Sequence, residues 1–474
     1  MLYSGKRNIL KSHHNCNKVV FGLVIGLIVH LVSATLEKTI ISFFTPNVFF
    51  SFILPPILIE AGYFMPRTAF SVNIVSILTF AVFGTIINCF MLAGCLYGVG
   101  LSNLSPELPF LELLMYCAII SAVDPVAVIA VFQELNVNMS LYIVEFGESL
   151  LNDGVSLVLY QIFQAMLQNK QLSTETLGWL GLVKFVWIMM IGTLVGLLCG
   201  LIGAFLAKST STHYTQLQPF LVYGICFFAY TSCNVLSISS IFGVITCSFF
   251  IRPYANHNLT QSNRVNLDKS IKLAAHIAEM MVFVLLGVVT VNVLFQHSST
   301  FDLNFTLWNL LFVTVIRFVV VFFLGLILNQ FSTKPHSIAD LVIISYSGLR
   351  GGIAFGMIYS LSLSNRMFYV QTTLIIIFFT IFVQGGTIRY LLKWLKIELD
   401  DGTSKSLTLI TNTAVSDISN GIKGIINVTD SNYNYTKMQR LSTKYLFPVL
   451  NTKAKKSSGL LDMLVELSEV EEVR

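Results

Sequence analysis

ISAVDPVAVIAVF occupies Ile120–Phe132, and a second stretch, SYSGLRGGIAFG, occupies Ser345–Gly356. Each sets a charged residue beside helix breakers inside an apolar run. Pro125 has no N–H and disfavours a helical Val123–Asp124, so the helix loosens there and exposes backbone carbonyls. Gly348, Gly351 and Gly352 have the same effect around Arg350. Two interrupted helices in corresponding places of two halves are the best sequence pointer to a transporter's midplane site. For Asp124 the plainer reading is a proline kink with a helix-capping carboxylate, which leaves room for a functional role.

Composition supports a membrane setting. Of 474 residues, 55% are hydrophobic and only 11% charged, and the mean hydropathy is +0.75. Soluble domains carry about 25% charged residues, so there is too little polar surface here to cover a globule in water. The chain reads as an all-α polytopic membrane protein. Its net charge of +5 is modest and spread out, which gives no reason to expect nucleic acid. Cys89, Cys95, Cys117, Cys199, Cys226, Cys233 and Cys247 sit singly in apolar runs, apart from Cys16, with no metal-ligand spacing. They read as reduced packing residues. Neither G-x-S-x-G nor H-E-x-x-H occurs, so no hydrolase is indicated, and no cofactor is called for.

A spanning helix needs about 20 mostly apolar residues. By that measure about twelve are expected, near 19–37, 47–64, 72–98, 112–133, 141–167, 179–207, 218–234, 238–251, 270–295, 305–330, 338–361 and 367–392. The stretch 218–251 is the least regular. Basic residues cluster on one side, at Lys6, Arg7, Lys11 and Lys18, then at Arg67, Lys208, Arg252, Arg264, Lys269, Lys272 and Lys334. Arg389, Lys393 and Lys396 follow, whereas the opposite loops carry only Lys38, Lys170 and Arg366. The positive-inside rule then makes both termini cytosolic. Three parts result: a cytosolic segment 1–18, a membrane domain 19–396 and a cytosolic tail 397–474. No cleavable signal peptide is visible. Sequons at Asn103 and Asn304 fall on outward loops, but Asn138, Asn258, Asn427 and Asn434 carry the same pattern on the other side. In the tail, Leu407, Ile410, Ala414, Ile418, Ile422 and Ile425 recur at helical spacing, suiting a membrane surface or a docking partner.

The intramembrane charges are few: Asp124, Glu148, Asp153, Glu279, Arg317 and Arg350, with Glu60, Glu145 and Lys184 nearer helix ends. Asp153 lies about 18 Å into its helix at 1.5 Å per residue, at mid-bilayer. Ser149 and Asp153 share one face of that helix, and Glu148 and Asn152 the neighbouring one. Oxygen ligands of this kind suit a hard cation such as Na⁺. Arg317 and Arg350 must find partners among Asp124, Glu148, Asp153 and Glu279, which makes Glu148, Arg317 and Arg350 a charge-pairing scaffold. Glu279, with His276 one turn before it, either pairs with an arginine or lines the cavity. Asp153 is the carboxylate expected to exchange ions. Burial favours its protonated form and a nearby Na⁺ its charged form, so the two compete for one group, one for one and without net charge movement.

ISAVDPVAVIAVFQELNVN (Ile120–Asn138), VEFGESLLNDGVSLVLYQIF (Val144–Phe163), SGLRGGIAFG (Ser347–Gly356) and FFSFILPPILIEAGY (Phe49–Tyr63) together resemble the animal Na⁺/H⁺ exchangers. These belong to the cation–proton antiporter superfamily (solute carrier 9 type). The resemblance runs from about Val19 to Lys396 and more weakly into the tail. It implies an inverted-repeat antiporter fold with two broken, crossing helices, assembled as a homodimer and working by an elevator-like shift. It implies that Asp153 binds the ion, with Asn152, Ser149, Asp124 and the Val123 carbonyl completing the site. It further implies that Asn152-Asp153 goes with electroneutral exchange and that Phe50 and Leu54 lie where amiloride-type inhibitors act. The tail, over 404–450, resembles a region that takes a calcineurin B-like protein and acidic lipid.

There are departures. The family usually has another membrane helix before the first one here. Glu145 stands where relatives tend to be apolar, and Gly352 where alanine is common. Three readings remain at this level: a plasma-membrane Na⁺/H⁺ exchanger (Li⁺ or K⁺ as possible cargo), an organellar K⁺(Na⁺)/H⁺ exchanger and a transport-inactive scaffold.

Overall fold

The computed structural model describes residues 14–32, 39–40, 45–124, 126–135, 137–168, 174–210, 217–296, 302–331, 335–359 and 365–395. Every regular element among them is a helix. In chain order they are α1 (His14–Val32), α2 (46–64), a short helix Arg67–Val72, α3 (Ile74–Leu101), α4 (Phe110–Ile120) and α5 (Val126–Leu135). Then come α6 (Met139–Gln168), α7 (Thr174–Thr210), α8 (Gln218–Val235), α9 (Ser240–Asn258) and α10 (Gln261–Gln296). The last are α11 (Leu303–Phe331), α12 (Ile338–Tyr346), α13 (Gly352–Tyr359) and α14 (Arg366–Trp394). Because α4–α5 and α12–α13 are each one span cut in two, the helices follow the expected apolar runs. Helices α3, α6, α7, α10, α11 and α14 are each long and apolar enough to cross a bilayer.

Differences in length have a physical reason. Hydropathy marks only the part of a helix that lipid or core demands, so α10 begins at Gln261 rather than near 270, its polar first turns standing outside the apolar run. Within 218–251 the chain turns at Ser237, at a φ of 55°. The Ser239 hydroxyl then accepts the Phe242 N–H at 3.5 Å and starts α9. Pro125 and the tail 397–474 lie outside the described residues.

Small residues let backbones touch where lipid supplies no hydrophobic drive between helices. On α1, a Cβ added to Gly22 would stand 2.2 Å from the Phe283 carbonyl oxygen of α10, and one on Gly26 2.6 Å from that of Gly287. On α7, Gly196 meets the Gly243 carbonyl oxygen of α9 at 2.2 Å by the same measure. Conversely, Val183, Trp187, Met190, Leu194, Leu198 and Phe205 leave an apolar stripe of α7 exposed, as a helix facing hydrocarbon requires. These tight pairs flank the region where α4–α5 and α12–α13 meet α6 and α11.

Candidate functional site

The two helix breaks meet. Helix α4 ends at Ile120 and α5 begins at Val126, while Ser347–Gly351 separates α12 from α13. Across the gap the Asp124 N–H donates to the Leu349 carbonyl at 2.8 Å. Gly351 faces Asp124 so closely that an added Cβ would stand 1.6 Å from Oδ2. A residue with any side chain cannot occupy that position without displacing Asp124. Thr380, at a π-helical turn (Thr380–Gln384) of α14, receives the Arg350 N–H at 3.2 Å.

Each break ends its first half-helix against a guanidinium. Arg350 Nη1 donates to the carbonyls of Ser121 and Ala122 at 3.0 and 2.8 Å. Arg317, from α11, donates through Nη2 to the Ile344 carbonyl at 3.1 Å and through Nη1 to Glu148 of α6. Unwound C-terminal carbonyls carry partial negative charge, so a buried cation at each one stabilises the interruption. The expectation that both arginines pair with carboxylates therefore needs correction. Arg317 does so, with Glu148, whereas Arg350 makes its side-chain hydrogen bonds to main-chain oxygens, because the break of α4 supplies ready acceptors. Glu279 pairs with neither arginine. It takes Lys18 of α1 at 2.7 Å, with His276 Nδ1 3.9 Å away.

Helix α6 carries the remaining polar groups. Asp153 sits at the middle of this 30-residue helix and is buried, and Asp124 is the charged neighbour that acts on it. Ser149 Oγ donates to the Val123 carbonyl at 2.5 Å, tying α6 to the first break. Asn152 is fully buried, and neither atom of its amide has a hydrogen-bond partner among the described residues. Buried polar groups rarely go unpaired without a reason. Val123, Asp124 and Ser149 are thus brought together in the structure, with Asp153 in the field of Asp124 and Asn152 adjacent in sequence. Phe50 and Leu54 stand apart from them. Phe50 lies in a π-helical turn (Phe49–Ile53), where its carbonyl accepts the Tyr230 hydroxyl at 2.5 Å, and Leu54 is fully buried. The ring of the adjoining Phe49 rests on Gly356 of α13.

Interrupted helices crossing at a buried carboxylate raise the question of kinship. A family model described as sodium/hydrogen exchanger, transmembrane, matches residues 9–394. This chain belongs to that family. It is 35% identical over 443 residues to sodium/hydrogen exchanger 3 of Triakis scyllium, a match covering 92% of this chain and 52% of that protein. It is 33% identical over 447 residues to human sodium/hydrogen exchanger 5, covering 92% of this chain and 49% of that one. A probable Na⁺/H⁺ antiporter of Caenorhabditis elegans, nhx-9, is 34% identical over 455 residues, covering 93% and 65%. The chain thus spans about half the length of the first two relatives. The fold is similar to that of the sodium proton antiporter MjNhaP1 from Methanocaldococcus jannaschii, at a TM-score of 0.62 and 15% identity, covering 83% of this chain and 98% of that one. The relatives are named as ion exchangers, and the family makes this chain an integral membrane protein.

Sequence reading missed Thr380, Lys18 and Ser347. A lone threonine in FFTIFVQ and a serine just before the glycine cluster were the available signals. Lys18 gave none, since its partner lies 261 residues away.

Proposed function

We propose that this chain exchanges one Na⁺ for one H⁺ across a membrane by alternating access, and so regulates cytosolic pH, sodium and volume. The observation that carries the reading is Asp153, buried at mid-helix beside the crossing of two interrupted helices. Asp153 alternately binds Na⁺ and a proton. Asp124, the Val123 carbonyl, Ser149 and the uncommitted amide of Asn152 supply further oxygens, and hard cations take such ligands. Since the carboxylate returns neutralised either way, the cycle moves no net charge. Glu148 with Arg317, and Arg350 with the Ser121 and Ala122 carbonyls, hold the breaks open. The working unit in this reading is a homodimer in the plasma membrane with both termini cytosolic, and 404–450 takes a calcineurin B-like partner.

The test is an acid load on cells lacking their own exchanger, with cytosolic pH followed when Na⁺, Li⁺ or K⁺ is restored. Surface labelling runs in parallel, and Asp153→Asn serves as control. Na⁺-dependent recovery that vanishes in the variant is the expected result. Recovery in Asp153→Asn at the parental rate would overturn the residue assignment, and recovery with K⁺ alone would reassign the cargo.

A further inference from the structure

Glu145 lies on α6, one turn before Glu148, and the exchange reading gives it no task. It is buried, with 1% of its surface exposed. Its Oε1 is 2.6 Å from Ser347 Oγ, and the same hydroxyl oxygen is 3.1 Å from the Ile344 carbonyl oxygen. A serine hydroxyl has one hydrogen. If Glu145 were ionised, that hydrogen could serve only one of the two acceptors. Glu145 Oε2 and Glu148 Oε2 are both buried without a hydrogen-bond partner among the described residues.

The charges acting on Glu145 are Glu148, from its own helix, and Arg317, from α11. The short helix Arg67–Val72 and helices α3, α4, α5, α7 and α9 also pack on α6. Arg67 turns its Nη2 to the Phe249 carbonyl, and none of these elements brings a further charge to Glu145 among the described residues. Glu148 also feels Arg350 from the break between α12 and α13, but Arg350 turns Nη1 to the Ser121 and Ala122 carbonyls and makes no ion pair with either carboxyl group among the described residues. Arg317 commits Nη1 to Glu148 and Nη2 to the Ile344 carbonyl. A second ionised carboxylate, buried with no cation of its own, is strongly disfavoured. The proton belongs on Glu145, because Glu148 has the arginine.

We propose that Glu145 is a second proton-binding group of this protein, which carries its proton in this conformation and donates it to Ser347 Oγ. Ser347 then gives its own hydrogen to the Ile344 carbonyl, and both short contacts are satisfied at once. Ionisation would send the proton to water, turn the Ser347 hydrogen towards Glu145 and leave Ile344 to Arg317 alone. Since Ile344 and Ser347 flank the break between α12 and α13, the proton on Glu145 is linked to the shape of that break. The inference does not rest on transport.

Infrared spectroscopy of the purified full chain in lipid, in H₂O and D₂O at neutral pH, tests it. The parent should show the C=O stretch of a protonated, hydrogen-bonded carboxyl group. That band should vanish in Glu145→Gln, move to higher frequency in Ser347→Ala, and persist in Asp153→Asn and on addition of Na⁺. A Glu145→Gln spectrum that superimposes on the parent's overturns the proposal. If Glu145→Gln does not fold, Ser347→Ala decides: a shifted band supports the proposal and an unmoved one overturns it. Loss of Na⁺ exchange without any change in this band would count against the exchange reading alone.

Discussion

Gly351→Ala is the sharpest perturbation of the crossing. A Cβ at this position would stand 1.6 Å from Asp124 Oδ2, 2.3 Å from Cγ and 2.4 Å from Cβ. Carbon atoms pack best at about 3.5–4.0 Å, so Asp124 Cβ must retreat by about 1 Å. Because Cβ is fixed to the main chain, rotating the carboxylate gives no relief. The Asp124 N–H bond to Leu349 and the Val123 carbonyl held by Ser149 must move with it. Overpacking of this kind costs about 1–3 kcal/mol of stability, and a 1 Å misplacement of a functional group can cost about 10²-fold in rate. Gly352→Ala is the matched control. Its Cβ would meet the Val282 Cγ1 methyl at 2.4 Å but Val282 Cβ only at 3.5 Å, so a side-chain tip yields rather than a backbone. The assay is the initial rate of Na⁺-driven cytosolic alkalinisation after an acid load, divided by surface protein. Gly351→Ala should lose about 10²-fold per molecule and Gly352→Ala less than about tenfold. Parental rates in Gly351→Ala would refute the placement of Asp124 against this glycine.

Other consequences are open to measurement. Arg317→Ala leaves Glu148 buried without its cation, a loss of about 3–5 kcal/mol, so folded protein by size-exclusion chromatography should fall sharply; Glu148→Gln in the same chain should restore part of it. Gly287→Val would drive a side chain into the Gly22 main chain, 2.1 Å from its carbonyl oxygen, and should separate α1 from α10 and lower Tm. His336, in the loop before α12, sits 3.1 Å from Ser76 Oγ, and burial holds its imidazole below the usual value of 6.5 against the opposing pull of Asp340. The unfolded chain therefore binds this proton first, so stability should fall as pH drops below about 6.5. His336→Gln should flatten that part of the Tm profile, and an unchanged slope would refute the assignment.

The breaks were legible because proline and glycine act locally. Gly348, Gly351 and the residues before Pro125 announce an interruption whatever surrounds them, and the structure puts α4–α5 and α12–α13 there. The pairing of charges was only half legible. Arg317 and Glu148 meet, yet Arg350 settles on the Ser121 and Ala122 carbonyls, acceptors that exist only once α4 has unwound. Lys18 and Glu279 find each other because the glycines of α1 bring it against α10, a contact between segments far apart in sequence. The π-helical turns at Phe49–Ile53, Thr79–Gly84 and Thr380–Gln384 had no signature, since one inserted residue leaves hydropathy unchanged.

The central claim is that Asp153 carries Na⁺ and H⁺ in turn. Its most direct test is Na⁺ uptake into vesicles reconstituted with the purified chain, driven by an imposed pH gradient with the membrane potential clamped and unclamped. The account predicts uptake in the parent that collapses the gradient and is insensitive to the potential, and none above protein-free vesicles in Asp153→Asn. Uptake in Asp153→Asn equal to the parent's would contradict it.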